Sequence, residues 1–199
     1  MDEDTRQDES TRYIDEIDSE RVYGETQLTP TPEQHEKLKD GLHGELFADI
    51  RRTERRYLVI GHGSGASGKR RTKVCSLLDE RENAISFRLE DFGFTGDEIA
   101  LWAPAFEVLS EMASHIVGVL ENYDGGHVWE LGFLYRYQTT VRDILWLLKR
   151  VYDSPEKMRE QYDNGMAASH VAALEAAVGD RVLTWKSPDD LSRVVDAIP

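Results

Sequence analysis

Cysteine is almost absent from this sequence, because Cys75 is the only one among 199 residues. A single thiol forms no disulfide within the chain, and there is no cysteine cluster of the kind that holds structural zinc. Cys75 falls on the apolar face of a predicted helix, so we expect a buried thiol. No histidine or carboxylate spacing indicates another metal site, and no metal is predicted.

Positive charge is also scarce. The chain carries 38 acidic residues against 24 basic ones, and its formal net charge is −14. Such a surface repels phosphate, which argues against a general nucleic-acid-binding surface and against docking on anionic membranes. The acidic residues are spread along the whole chain and lysine is sparse, which favours a halophilic protein adapted to high salt. The alternatives are an acidic partner-binding tail and an ordinary acidic cytosolic protein.

Long apolar runs are missing as well. No segment approaches the length of a membrane span. The first residues, Met1–Thr5, are acidic and contain no apolar signal region. We therefore expect a cytoplasmic protein without a membrane partner.

Composition divides the chain into three regions. Residues 1–30 form an acidic tail that we expect to be largely disordered, because it has too little apolar surface to bury. Residues 31–54 contain a predicted N-terminal helix that ends near Arg52. Residues 55–199 have the pattern of an α/β domain, in which the polar, helix-prone segment 153–170 is a candidate lid.

Apolar strand patterns alternate with helical ones across the third region. The predicted strands are Tyr57–Ile60, Ala84–Leu89, His115–Leu120, Asp143–Leu148 and Arg181–Trp185. The predicted helices are Lys69–Leu78, Asp97–Met112, Gly126–Tyr137, Val171–Val178 and one that Ser187 caps. This alternation predicts a three-layer, flavodoxin-like α/β fold: a parallel sheet of about five strands, order about 2-1-3-4-5, with helices on both faces. Ligands bind such sheets beyond the carboxyl ends of strands 1 and 3, where the strand order reverses.

A glycine-rich turn follows the first predicted strand. Its glycines let the chain approach a ligand closely, and the next helix offers free N–H groups to an anion. The segment Gly63–Lys69 also matches the GxxxxGK pattern, but Arg70 stands where a triphosphatase needs Ser or Thr for magnesium. The turn is therefore a phosphate- or ribose-binding loop or a flexible turn, with a kinase-like or NTPase-like protein as a weaker alternative. The candidate ligand contacts are Gly61, His62, Gly63, Ser64 and Gly65.

A second turn, Asp124–Gly132, follows the third predicted strand and opens a helix. Asp124 ends the strand, and Glu130, one turn into the helix, can point back to the same cleft. Two carboxylates in a cleft can divide the work of binding a sugar and attacking its anomeric carbon. The alternative is that Asp124 is a turn or cap residue and Glu130 a solvated residue in the first helical turn. Further candidate contacts are Gly125, Gly126, His127 and Trp129, a stacking platform, while Gly132 would allow close helix packing.

The strand Ile116–Leu120 followed by the Asp124–Gly132 segment resembles the signature of the nucleoside 2-deoxyribosyltransferase family. With Tyr57–Gly63 upstream, it is also similar to bacterial TIR-like nucleotide-binding domains. The resemblance covers about residues 55–190 and looks closest to a salt-adapted archaeal group. It implies a protein with a flavodoxin-like fold that cleaves or exchanges N-glycosidic bonds of nucleosides or NAD. It further implies that Glu130 is the catalytic carboxylate and that Asp124 contacts the sugar.

The sequence departs from the transferase pattern at one position. The transferases have a further Asp upstream of the catalytic Glu, whereas the region Trp102–Glu107 offers Glu107 but no Asp. The prediction therefore moves from deoxyribosyl transfer towards binding of a nucleoside or nucleotide, or hydrolysis of its N-glycosidic bond. NAD is a candidate ligand, and no cofactor is required. The alternative is a non-catalytic nucleotide sensor or interaction module on the same fold. A homo-oligomer is a candidate assembly, and the Trp129–Tyr137 helix is a candidate interface instead of a base platform.

Asp91 is a further candidate for the same site, and the two histidines named above have alternative roles there. Asp91 lies just beyond the second predicted strand, where an acid can reach a ribose hydroxyl or serve as an ordinary turn residue. His62 and His127 share the proposed cleft. They can contact a phosphate or act as an acid, or they form simple turn hydrogen bonds.

Overall fold

The computed structural model describes residues 31–42, 44–94, 101–137, 143–163 and 165–199. The predicted tail 1–30 lies outside the described residues, as does the predicted helix start at Asp97.

From the third element onward, at least one helix separates each strand from the next. The helices are α1 (Pro32–Leu42), α2 (Glu45–Arg52), α3 (Gly65–Asp79), α4 (Trp102–Met112), α5 (Gly126–Tyr137), α6 (Pro155–Tyr162), α7 (Gly165–Val178) and α8 (Pro188–Val195). The strands are β1 (Arg55–Gly61), β2 (Ala84–Phe87), β3 (His115–Leu120), β4 (Leu145–Arg150) and β5 (Val182–Trp185). Short 3₁₀ turns occupy Leu89–Phe92 and Gly179–Arg181.

The five strands form one parallel sheet in the order β2-β1-β3-β4-β5. Tyr57 in β1 pairs with His115 in β3, and Ile116 in β3 pairs with Leu145 in β4. The predicted order is confirmed. The parallel direction of the strands follows from helical crossovers, which bring each strand back parallel to the last.

Successive side chains of each strand point to opposite faces of the sheet, and both faces are covered. Leu58 and Ile60 of β1 belong to a core that they share with buried residues of α1, α2, α4, α5 and α7. Tyr57 and Val59 face a second core, built with α3 and α8. Cys75 is a free, buried thiol in that second core, as predicted. The three-layer arrangement is therefore confirmed.

Several predicted boundaries are corrected. The N-terminal helix is divided into α1 and α2, because Gly44 adopts an extended backbone (φ −70°, ψ 177°) and glycine is a weak helix former. β2 ends at Phe87 rather than Leu89, since a 3₁₀ turn begins there. β4 starts two residues later than predicted, at Leu145. α3 begins at Gly65, which leaves a shorter loop after β1.

The candidate lid, residues 153–170, forms α6 and the first part of α7. Ser154 caps α6 by accepting a hydrogen bond from the Lys157 amide. Tyr162 at the end of α6 is buried, and its hydroxyl lies 2.7 Å from the carbonyl oxygen of Arg150 and 3.3 Å from that of Leu120. The segment is thus anchored over the carboxyl ends of β3 and β4. Within the described ranges, no helix has the length and apolar character needed to cross a membrane.

Candidate functional site

The turns after β1 and β3 lie side by side, because these two strands are neighbours in the sheet. This is the point at which the strand order reverses, and it is where ligands bind in open α/β sheets. The imidazole rings of His62 and His127, one from each turn, have centroids 5.8 Å apart. The structure thus brings together the two turns that the sequence singled out.

Gly61 allows the end of β1 to pack closely against β3. Its φ of +151° is unusual for other residues, and a Cβ there would lie 2.9 Å from the carbonyl oxygen of Val119 and 3.1 Å from Cδ of Arg71. The glycine therefore leaves room for the Arg71 side chain beside the turn.

His127 opens the buried face of α5. Only 3% of its surface is exposed. Its Nε2 lies 3.1 Å from the carbonyl oxygen of Asn122, whereas its Nδ1 is buried and has no hydrogen-bond partner. Burial lowers the pKa of His127, and the neighbouring His62 and Arg71 lower it further. The ring is therefore neutral at neutral pH.

Glu130 follows His127 by one helical turn, and Leu131 and Leu134 on the same face of α5 are buried. The Oε2 atom of Glu130 is inaccessible to solvent and has no hydrogen-bond partner. Burial raises the pKa of Glu130 to about 7, and the opposing effect of nearby Arg71 is smaller. The alternative of a solvated Glu130 is wrong, because its Oε2 atom is shielded from solvent.

Arg71 completes this buried group, although the sequence analysis did not select it. Its side chain is 4% exposed, and its guanidinium donates to the Gly61 carbonyl oxygen at 3.1 Å and forms an ion pair with Glu90. The Nε atom is buried without a partner. Burial, followed by the nearby Arg88, lowers the pKa of Arg71. We call His127, Glu130 and Arg71 the buried polar cluster.

Asp124 and Trp129 lie on the other side of the turn. They line an aromatic groove of about 900 Å³ between α5 and α7. Trp129 is 53% exposed, and its ring centroid lies 5.7 Å from that of Phe133. The groove is lined by Tyr123, Asp124, Gly125, Val128, Trp129, Gly132, Phe133, Tyr135, Met166, Ala167 and His170.

Glu130 does not line this groove, so the expectation that it shares one cleft with Asp124 is corrected. Adjacent positions on a helix point about 100° apart, which separates Trp129 from Glu130. Gly125 connects the two halves. It lines the groove, and a Cβ built on it would lie 3.6 Å from Nδ1 of His127 and 3.7 Å from Nε2 of His62. Gly132, expected at a close helix contact, has open space around it.

The Gly63–Lys69 segment borders a separate cavity. This cavity has a volume of about 380 Å³, and Gly63, Ser64, Gly65, Gly68, Lys69 and Thr72 line it. Ser64 occupies the N-cap position of α3 without making a side-chain capping bond. Arg70, which replaces the Ser or Thr of a triphosphatase, is engaged by Glu121.

Asp91 lies in the 3₁₀ turn after β2 and does not line either cavity. Its carboxylate accepts hydrogen bonds from the backbone amide of Arg88 at 2.8 Å and from the Arg88 guanidinium. The structure therefore uses Asp91 as a turn residue.

A buried carboxylate at the carboxyl end of β3, Glu121, was missed by the sequence analysis. It is 4% exposed and binds the guanidinium groups of Arg70 and Arg150. Its backbone carbonyl oxygen accepts a hydrogen bond of 2.7 Å from the Tyr152 hydroxyl. An acid directly after an apolar strand was the only signal in the sequence, and it resembles an ordinary turn residue.

In the part of the chain that the structure describes, no group of three or more His, Cys, Asp or Glu side chains is arranged to hold a metal ion. Comparisons with protein-family models, with curated proteins and with solved structures found no match. The fold and the site therefore define the chain as a flavodoxin-like α/β protein with a candidate ligand site between the turns after β1 and β3.

Proposed function

We propose that the chain binds a nucleoside or nucleotide at the carboxyl edge of the sheet and that Glu130 acts on its N-glycosidic bond. The observation that carries the proposal is the set of buried atoms without partners: Nδ1 of His127, Oε2 of Glu130 and Nε of Arg71. Buried polar atoms are nearly always hydrogen-bonded, because leaving them unpaired costs about 1–3 kcal/mol each. A polar ligand at this edge would supply their partners.

The two halves of the site suit the two halves of such a ligand. A planar base fits an aromatic groove whose exposed wall is Trp129, and base–aromatic stacking is worth about 1–3 kcal/mol. The sugar, which carries hydroxyls, suits the buried polar cluster. Gly125, common to both halves, has no side chain to separate them. Asp124, which lines the groove, would bind a sugar hydroxyl.

The chemistry assigned to Glu130 is stabilisation of the sugar cation. In hydrolysis, the bond between C1′ and the base nitrogen breaks, and its electron pair leaves with the base. Water adds to C1′, and one of its protons goes to the departing base of a nucleoside, or to solvent when neutral nicotinamide leaves NAD. An ionised carboxylate stabilises the positive charge that develops on the sugar ring. With a pKa of about 7, Glu130 is partly ionised at neutral pH, and Arg71 favours that ionised form.

The test is release of free base at high salt. The protein is incubated with NAD, ribonucleosides and deoxynucleosides, and products are separated by chromatography, with binding measured by calorimetry. We expect turnover by the wild type and at least a hundredfold loss in Glu130→Gln. The matched control is Glu107→Gln, since burial raises the pKa of Glu107 to about 7 on α4, outside the site. Turnover that survives Glu130→Gln would contradict the assignment, and binding without turnover would identify a nucleotide sensor.

A second candidate function is phosphate binding by the Gly63–Lys69 segment. It is favoured by the cavity of about 380 Å³ beside the N-terminus of α3, where Ser64 makes no side-chain capping bond and leaves amide groups for an anion. ATP hydrolysis that disappears in Lys69→Ala would support this function. Hydrolysis that is absent from the wild type would exclude the triphosphatase form of it.

A further inference from the structure

The two ring nitrogens of His127 have different surroundings, and this difference determines the tautomer. Nε2 lies 3.1 Å from the carbonyl oxygen of Asn122. A carbonyl oxygen only accepts hydrogen bonds, so Nε2 carries the hydrogen and donates it. In the neutral ring, Nδ1 then has a lone pair and no hydrogen. His127 therefore offers an acceptor, rather than a donor, on its other edge.

The acceptor edge faces the turn that joins the two halves of the site. Nδ1 is buried and unpartnered in a side chain that is 3% exposed. A Cβ on Gly125 would lie 3.6 Å from it and 3.7 Å from Nε2 of His62. Nδ1 thus lies close to the point where the backbone has least bulk.

The charged and titratable groups around the ring keep it neutral. Burial is the largest influence against protonation, and His62 from the β1 turn and Arg71 from α3 act in the same direction. The hydrogen bond to Asn122 and the carboxylate of Asp124 act in the opposite direction and are outweighed. Near neutral pH, the ring has no positive charge to attract a phosphate and no hydrogen on Nδ1 to give to a leaving group.

We infer that His127 is a specificity-determining residue, whose Nδ1 accepts a hydrogen bond from a sugar hydroxyl of the ligand. This inference rests on the proposed nucleoside or nucleotide site. It narrows the ligand class to one with a hydroxyl at the sugar position facing Nδ1. A ligand that lacks this hydroxyl leaves Nδ1 buried and unpaired. A phosphate at that position would face the Nδ1 lone pair, which has no hydrogen to donate to its oxygens.

Two substitutions separate the two edges of the ring. Gln extends an amide nitrogen to the position of Nε2, so His127→Gln keeps a donor for Asn122 and removes the Nδ1 acceptor. Asn places an amide oxygen near the position of Nδ1, so His127→Asn keeps that acceptor and removes the donor. Affinities are measured by calorimetry for adenosine, guanosine, cytidine and uridine, and then for the 2′-, 3′- and 5′-deoxy analogues of the tightest binder.

We expect the wild type to bind the parent ribonucleoside about 10- to 100-fold more tightly than one of the three deoxy analogues. His127→Gln should bind both with nearly equal affinity, and His127→Asn should retain most of the discrimination. His115→Gln is the control and should retain full discrimination. His115 begins β3, so it lies at the amino ends of the strands, whereas the candidate site lies at their carboxyl ends. Circular dichroism at each step verifies that the variants are folded.

Nitrogen-15 spectra of histidine-labelled wild type give a second measurement that needs no variant. Without ligand, His127 should show the spectrum of an Nε2–H tautomer, and binding should shift its Nδ1 resonance to lower frequency. Discrimination that is unchanged in His127→Gln, or an Nδ1 resonance that does not move on binding, would overturn the inference and leave the proposed function intact. If neither NAD nor any of the nucleosides binds the wild type, the proposed function and this inference both fail.

Discussion

Arg70 and Glu121 are joined by two hydrogen bonds, 2.7 Å from Nε to Oε1 and 2.5 Å from Nη2 to Oε2. Arg70 lies in the first half of α3, and Glu121 directly follows β3, so the pair connects that helix to the carboxyl end of β3. Arg150 at the end of β4 adds a third bond of 2.8 Å to the same carboxylate. Paired guanidinium and carboxylate groups of this geometry are strong because both hydrogen bonds are charge-assisted.

Removing Glu121 should therefore destabilise the fold. In Glu121→Ala, two guanidinium groups whose side chains are 19% and 25% exposed lose their shared partner. We expect the free energy of unfolding to fall by about 2–3 kcal/mol, less than for a fully buried pair because water reaches both arginines. Urea unfolding measures the change. Arg193→Ala is the control, since its side chain is 78% exposed, and it should cost less than about 1 kcal/mol. Equal losses in the two variants would contradict this account.

Gly61 and Gly63 should respond differently to the same substitution. Gly61→Ala places a Cβ 2.9 Å from the Val119 carbonyl oxygen at a φ of +151°. We expect a loss of about 2–4 kcal/mol of unfolding free energy from the strain and the contact together. Gly63→Ala meets nothing within 4 Å and should change stability by less than about 1 kcal/mol. Thermal and urea unfolding measure the stability of both variants. A Gly61→Ala protein as stable as the wild type would contradict this expectation and show that the turn can rearrange.

Gly132 offers a way to close the aromatic groove without disturbing the fold. It lines the groove from within α5, and there is open space where its Cβ would lie. Gly132→Ala should stabilise the protein by about 0.5–1 kcal/mol, because alanine favours helix over glycine. Gly132→Leu should fill the groove and reduce nucleoside affinity at least tenfold while the protein stays folded. Calorimetry measures the affinity. If a folded Gly132→Leu variant binds the nucleoside as tightly as the wild type does, the base does not lie in the groove.

The titration of Glu130 should be visible in the stability of the protein. Burial raises its pKa from 4.5 to about 7, so the folded state binds the proton more tightly than the unfolded chain does. The stability contributed by the protonated form is present below pH 4.5 and is lost as pH rises to about 7. Relative to wild type, Glu130→Gln should gain on the order of 2 kcal/mol between these limits. Urea unfolding at several pH values tests this, and parallel pH profiles for the two proteins would rule it out.

The sequence predicted the strand order because the alternation of strand and helix patterns can be read locally. β3 and α5 have the predicted ends, since an apolar run stops at a glycine turn and a helical pattern starts there. Ser187 caps α8 as predicted, accepting a hydrogen bond from the Asp190 amide. Alternation between strand and helix leaves few topologies open once crossovers are right-handed.

Side-chain partners across the sheet could not be predicted in the same way. Arg70 and Glu121 are 51 positions apart, and nothing in their neighbours indicates that they meet. The orientation of Glu130, in contrast, could have been predicted, because helical spacing in the sequence indicates it. Leu131 and Leu134 mark the buried face of α5, and helical spacing places Glu130 beside that face and Trp129 away from it. This spacing separates Glu130 from the groove that Asp124 and Trp129 line.

At the amino end of β3, Ser114 links the same two central strands. Its hydroxyl accepts a hydrogen bond from the Arg56 amide at 2.8 Å and lies 3.1 Å from the Arg56 carbonyl oxygen, across 58 positions of the chain. In a hairpin, only a few residues separate the paired strands. Pairing β1 with β3 instead requires a long intervening segment to lose conformational entropy. Parallel pairing of this kind slows folding relative to helical bundles of similar stability. We therefore expect the β1–β3 pair to form late in folding, and with it the edge of the sheet that carries the candidate site.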